Sequence, residues 1–380
     1  MCIVLLTTAH PSYALIILDN RDEFILRPTS RPHWWTPETS ACPSAAAVNG
    51  TANGAANGTA NGETKPKPKP KAQEILSSRD LQRAERGTWL GVTKAGNFAV
   101  LTNYRETDTH DAAHPVHGAR SRGGMVTAWL AASPDEPTAH FVQRMLEDGG
   151  VRGVGGFSLI CGKLRPRRGG DDDDGTGRAL EPLAIISNRN ESVDQVPWIC
   201  SEEGRSYGLS NSCFSDEPAW PKVEDGLRLV KEAVKLAVAE DMDEDRLMET
   251  LFAVLDSDTL PIDPEMGFED YIPVLKQSIF IPAIGDEGQR LAMEQATKNG
   301  KQPMSASAEV PEELTSTERP DDAGQGFETG MYGTQRQTIL LVDWDGNVTY
   351  RERALWDANG NQIPRGAADM TFKFKVDGWD

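Results

Sequence analysis

Two places near the start of the chain hold residues able to do covalent chemistry. Cys2 follows the initiator methionine, which is generally trimmed when a small residue comes next. Trimming leaves one residue carrying both a thiol and a free α-amine. An α-amine with an unperturbed pKa of about 7.7 to 8.0 is partly neutral near pH 7.5 and can accept the thiol proton, so nucleophile and base share one residue. The plainer reading of Cys2 is a small apolar residue opening a core strand. The second place is LDNRDEF, residues 18–24, where an apolar run ends in Asn20, Arg21, Asp22 and Glu23. If residues 3–8 and 13–19 are antiparallel strands, this quartet lies beside Cys2. Arg21 would then favour the thiolate, and Asp22 or Glu23 would orient Arg21 or bond the α-ammonium. Taken alone, a charged tetrad is more often a solvated hairpin end.

Asn103 and Asn211 each close a strand-like run, in VLTNY and YGLSN. A side-chain amide aimed at a developing oxyanion stabilises acyl transfer, although asparagine at a strand end is also ordinary turn chemistry. His110, His114 and His117 have metal-like spacing, but Pro115 and Gly118 deny them a helix, and the segment reads as a loop. GGVRGVGG, residues 149–156, matches neither the dinucleotide nor the phosphate-loop pattern. The chain has no haem-attachment motif, although Cys2, His10 and His33 lie in or beside the first strands and could approach a bound porphyrin.

Strand signals dominate the elements that must position these groups. IVLLTT (3–8) and YALIILD (13–19) form one pair, TWLGVT (88–93) and NFAVLTN (97–103) another across Gly96, followed by FSLICG (157–162) and LAIISN (183–188). QTILLVD (337–343) and NVTYRER (347–353) flank WDG, a hairpin cue. Two amphipathic helices are expected at 224–240, with Leu227, Val230, Val234 and Ala237 on one face, and at 243–256; a weaker one is expected at 123–133. Strands followed by helices argue for an α+β fold with helices covering antiparallel sheets. NGTANGAANGTANG (49–62) and KPKPKPK (65–71) cannot bury enough apolar surface to order themselves. We expect one domain over 1–380 with disordered insertions at about 41–74, 165–178 and 285–330.

Lys plus Arg number 39 against 58 Asp plus Glu, a net charge of −19 that repels nucleic acid and anionic lipid headgroups. The cysteines, Cys2, Cys42, Cys161, Cys200 and Cys213, are odd in number and lack CxxC spacing, which suits a reducing compartment. MCIVLLTTAH has no basic leader and reads as a strand, and no run reaches membrane-spanning length. A cytoplasmic location follows as the expectation, with the sequons at Asn49, Asn57, Asn190 and Asn347 idle.

MC at the start, NRDEF, RGTWLGV (86–92), LTNYRE (101–106), SRG (121–123), GF (156–157), YGLSNS (207–212) and YGTQRQTILLVD (332–343) resemble, in this order, the NRDE family of transport and Golgi organisation proteins. The resemblance implies a fold like the N-terminal nucleophile hydrolases, a four-layer αββα sandwich. It also points to the choloylglycine and penicillin V acylase branch, whose amide-cleaving residues would fall on Cys2, Arg21, Asp22 or Glu23, Asn103, Asn211 and Arg336. Those acylases space arginine and acid as R-N-x-D where this chain has N-R-D-E, so Asn20 and Glu23 are alternative occupants of the two slots. The family's associations with haem mobilisation, lipid and acyl-CoA metabolism, Golgi organisation and secretion, in cytosol, Golgi and mitochondria, imply a carrier of haem or an acyl ligand. Transient contact with Golgi or mitochondrial membranes is implied as well. The alternative is a cysteine hydrolase of an amide or thioester.

Overall fold

A computed structural model describes residues 1–37, 73–104, 121–151, 154–167, 178–261, 266–299 and 329–379. His110, His114, His117, Cys42 and the sequons at Asn49 and Asn57 lie outside the described residues. The first sheet holds β1 (Ile3–Thr7), β2 (Tyr13–Phe24), β10 (Ser206–Leu209), β11 (Tyr332–Asp343), β12 (Asn347–Ala354) and β13 (Met370–Lys375), in the order β10-β1-β2-β11-β12-β13. The second runs β3 to β9 in sequence order: His33–Trp35, Ile75–Ser77, Leu90–Thr93, Asn97–Asn103, Phe157–Lys163, Leu183–Ser187 and Trp198–Ile199. All the paired strands are antiparallel.

Strands β1 and β2 read as continuous apolar runs because both faces are covered, where a half-solvated strand would alternate. Ile3, Leu5, Ile16 and Leu18 pack against α3 (Pro221–Ala239) and α4 (Glu244–Leu255). Val4, Leu6, Leu15 and Ile17 point the other way and meet Leu76, Val92, Phe98 and Ile160 of the second sheet. The outer face of that sheet, with Ile75, Ala99, Leu101 and Leu159, is closed by α1 (Gly123–Leu130) and α2 (Thr138–Glu147). The layers are therefore α, β, β, α, the architecture that the family resemblance implies. Pro221 starts α3 at a first-turn position where its missing N–H costs nothing, and the Asp243 side chain caps α4 by accepting from Arg246 N at 2.9 Å.

Three expectations are corrected. Strand β2 does not stop at residue 19: it runs through the polar quartet to Phe24, because β11 pairs along it with Asn20 opposite Gln337 and Asp22 opposite Thr334. Asn20, Arg21 and Asp22 are buried, so the quartet is strand interior and no solvated hairpin end. Within the tract expected to be disordered from 285 to 330, Glu287–Asn299 forms helix α5. Its polar composition hides a single anchor, Met293, which packs beside Leu26 where Gly330 and Gly360 leave room. Gln73 and Glu74, placed in the first insertion, already lead into β4, and Glu74 meets Lys94 at 3.1 Å.

Candidate functional site

The register of the first sheet assembles a row of side chains at one end. Val4 pairs with Leu209 and Ile3 with Asn20, so carrying both ladders to the chain start sets Cys2 between Asn211 and Arg21. Arg21 in turn pairs with Arg336. Residues directly opposite in an antiparallel ladder share a face, and this row shares the face of Val4 and Leu6, looking toward the second sheet. Ser210 Oγ donates to Cys2 O at 2.7 Å and ties the two strand ends together. Asn211 Oδ1 is buried and has no hydrogen-bond partner among the described residues.

The Arg21 guanidinium is engaged by other groups. It stacks 4.3 Å from the Trp89 ring centroid, donates to Gln335 Oε1 and lies 3.8 Å from Glu23 Oε2. The expected stabilisation of a Cys2 thiolate does not follow. Burial dominates and pushes the thiol up to about 11; the α-ammonium opposes this, while Asp22 and Asp19 add to it. Among the described residues the thiol's one hydrogen bond, to Asp22 O, is 3.7 Å long.

Asp22 faces the helical side of the sheet. Its Oδ1 accepts from Thr334 Oγ1 at 2.7 Å, and its Oδ2 lies 3.1 Å from the Met1 α-amine, which also donates to Tyr332 OH. Buried Lys222, from the start of α3, donates to the Met1 carbonyl. Burial lowers the α-amine, with Asp22 opposing. Of the two acids offered by the sequence, Asp22 thus meets the amine, while Glu23 pairs with Arg27 at 3.4 Å. Asn20 serves neither slot: its Nδ2 donates to Leu255 O at 2.8 Å and Ile279 O at 3.0 Å, clasping the end of α4.

Other expected members stand elsewhere. Asn103 shares the face of Ala99 and Leu101, which packs on the helices, so alternation turns it away from Cys2; Thr102 is the β6 residue on the inner face. Arg336 donates to Trp356 O at 2.9 Å and lies 3.8 Å from Glu352 Oε1, one strand beyond Arg21, and burial lowers it to about 10. His10 follows the far end of β1, a strand roughly 16 Å long, and meets the Tyr13 ring edge-on. His33 pairs with Ser77, on the face where Ser77 accepts from Trp35 Nε1, outside the inter-sheet layer. Cys2, His10 and His33 do not converge on one porphyrin. Among the described residues, no group of three or more His, Cys, Asp or Glu is placed to hold a metal ion.

Two residues that sequence reasoning missed belong to the site. Asp19 lies on the same face as Arg21, three positions before Asp22, which is where the R-N-x-D spacing puts arginine. Desolvation lifts its carboxyl well above the ordinary range; Asp22 and Glu352 add to this, and Arg21 opposes it. Alternation along 15, 17, 19 and 21 was the available signal. Arg122, at the start of α1, reaches the site from the second sheet's helix layer. Its electrostatic neighbours include Glu23 and Cys2, and desolvation lowers it to about 10. Among the described residues its one hydrogen bond goes to Gly156 O at 3.0 Å.

The profile of the Transport and Golgi organisation 2 family matches residues 1–65 and 61–357. The chain is similar to the human Transport and Golgi organization protein 2 homolog, 26% identical over 347 residues covering 91% of this chain and 88% of that one. The mouse homolog is 24% identical over 363 residues, covering 95% and 94%. Among solved structures, penicillin V acylase from Agrobacterium tumefaciens aligns over 99% of this chain and 86% of its own at 10% identity and a TM-score of 0.41. A C2A mutant of the conjugated bile acid hydrolase from Clostridium perfringens aligns over 99% and 98% at 11% identity and 0.35. The chain belongs to the Transport and Golgi organisation 2 family.

Proposed function

We propose that the chain serves the transport role in its family's name as a carrier of an acyl compound, bound between the sheets at the Cys2 end and handed between membranes and acceptors. The observation that carries this is the row Asn211, Cys2 and Arg21 on the inter-sheet face of the first sheet, with Arg122 an electrostatic neighbour of Cys2. Amide and guanidinium donors suit the carbonyl and anionic head of an acyl compound. A thiol raised to about 11 stays protonated at neutral pH, and the α-amine is engaged by Asp22 and Tyr332, so binding is not followed by turnover while Met1 is in place. Haem, the other cargo, would meet Cys2 without His10 or His33, and a protonated thiol is a poor iron ligand. Displacement of a fluorescent fatty-acyl analogue tests the proposal, with Arg122→Met expected to weaken binding about tenfold. A shift of the main haem absorption band on titration, with no competition by acyl ligands, would overturn it in favour of haem.

A second reading, cleavage of an amide or thioester, is favoured by the clasp that Asp22 and Tyr332 make around an α-amine beside the thiol. Removal of Met1 would place the Cys2 amine there as base for its own sulfur. Intact-mass analysis showing Met1 on the native protein would sink this reading.

A further inference from the structure

Met1 is bound like a ligand. Its α-amine is gripped by Asp22 and Tyr332, its carbonyl accepts from Lys222, and its side chain lies against Leu275, Ile281 and Ile284 with only 16% exposed. The carbonyl carbon is bonded to the Cys2 nitrogen, which keeps it within about 5 Å of the Cys2 sulfur by covalent geometry alone. Excision of Met1 therefore opens a cavity at the Cys2 end of the strand that is apolar along its length and carries a buried ammonium donor at the carbonyl end. Excision releases the Cys2 amine within about 4 Å of the position where the Met1 amine meets Asp22, while Lys222 Nζ loses its acceptor. A buried donor without an acceptor costs roughly 1–3 kcal/mol, a cost that an incoming carbonyl oxygen removes.

We propose that this vacated cavity is the acyl-chain subsite of the Cys2 site and takes an unbranched acyl group of about six carbons, hexanoyl in size, its carbonyl oxygen accepting from Lys222. This rests on the acyl reading of the site. Hexanoyl matches methionyl from carbonyl carbon to terminal methyl, and burial of its chain supplies roughly 0.8 kcal/mol per methylene. Branching at the second carbon puts methyl groups where the methionyl chain has one path between the sheet end and the Leu275, Ile281 and Ile284 wall. The cavity lies on the helical face of the first sheet, while Arg21 lies on the opposite face, so the two halves of a ligand are read separately.

The test compares the trimmed protein with the same chain produced while methionine aminopeptidase is inhibited, so that no substitution is needed. Calorimetric titration is expected to show hexanamide binding to the trimmed chain at least about tenfold tighter than pivalamide, and no binding to the chain that keeps Met1. Lys222→Met, checked for folding by thermal unfolding, is expected to weaken hexanamide about tenfold. Equal binding to both forms, no preference over pivalamide, or Met1 found intact on the native protein would overturn the proposal. A long-chain fluorescent acyl probe separates the two levels. If it is still held and hexanamide is not, the cavity proposal alone fails; if neither binds, the acyl reading fails with it.

Discussion

The guanidinium of Arg21 lies 4.3 Å from the ring centroid of Trp89, so the NRDEF strand of one sheet is clasped to the GTWLG segment of the other at the Cys2 end. A desolvated cation over an indole face contributes about 2 kcal/mol, and Arg21 also donates to buried Gln335. Lysine keeps the charge but loses the planar face and the fork. Arg21→Lys should therefore destabilise the protein by about 1–3 kcal/mol in urea unfolding. Trp89→Phe, which keeps a ring, should cost less. An unchanged urea midpoint for Arg21→Lys would show that the stack contributes nothing.

Gly87 and Gly123 stand backbone to backbone: a Cβ on Gly87 would come 2.7 Å from the Gly123 carbonyl carbon. The contact is backbone on both sides and cannot give way by rotamer change. Gly87→Ala should cost about 1–3 kcal/mol, and it should weaken acyl-probe binding, because Arg122 adjoins Gly123 and moves with it. Gly124→Ala is the control. Nothing lies within 4 Å of its Cβ position and it sits in α1, so alanine there should be neutral or stabilising by up to about 1 kcal/mol.

The pairing of IVLLTT with YALIILD was legible because a short connection between two apolar runs makes an antiparallel hairpin, and the register its turn sets, Ile3 opposite Asn20, brings Asp22 to the chain start. The role of Asn20 was not legible. Its partners, Leu255 O and Ile279 O, are 235 and 259 residues away and lie on a face that only the packing of α4 defines. Asn103 was misplaced for a related reason: the type of a strand-end residue is visible in the sequence, but the face it occupies depends on which neighbours, here Ala99 and Leu101, go under the helices. Arg122 was hidden because its charge is spent across a sheet interface with no local sequence partner, whereas Asp19 was visible in the period-two pattern of β2.

Cys2 should be a slow thiol with Met1 in place. Its pKa near 11 comes first from burial, so the thiolate fraction is small at neutral pH. Alkylation by iodoacetamide, followed by mass spectrometry, should accelerate about tenfold per pH unit between about pH 7 and 10, because the thiolate is the nucleophile. Cys161 and Cys200, whose thiols burial raises further, should stay unlabelled in the folded protein. A rate that levels off near pH 8 would mean that Arg21 or the α-ammonium outweighs burial.

Asp19 should make the fold less stable as pH rises. In the unfolded chain its carboxyl loses its proton near the ordinary value of about 3.9. In the fold, desolvation with Asp22 and Glu352 nearby holds the proton to a well higher pH, against the weaker pull of Arg21. Between those two pKa values the folded state binds more protons than the unfolded state, so this residue's contribution is fully present below the unfolded pKa and is lost as pH climbs toward the folded one. Asp19→Asn keeps the shape and removes the titration. The stability difference between variant and wild type, read from urea unfolding, should be near zero at about pH 3.5 and should favour asparagine increasingly as pH rises to neutral. Taking the difference cancels the other titrating groups. A variant that loses stability relative to wild type as pH rises would mean that the carboxylate is charged in the fold and paired with Arg21.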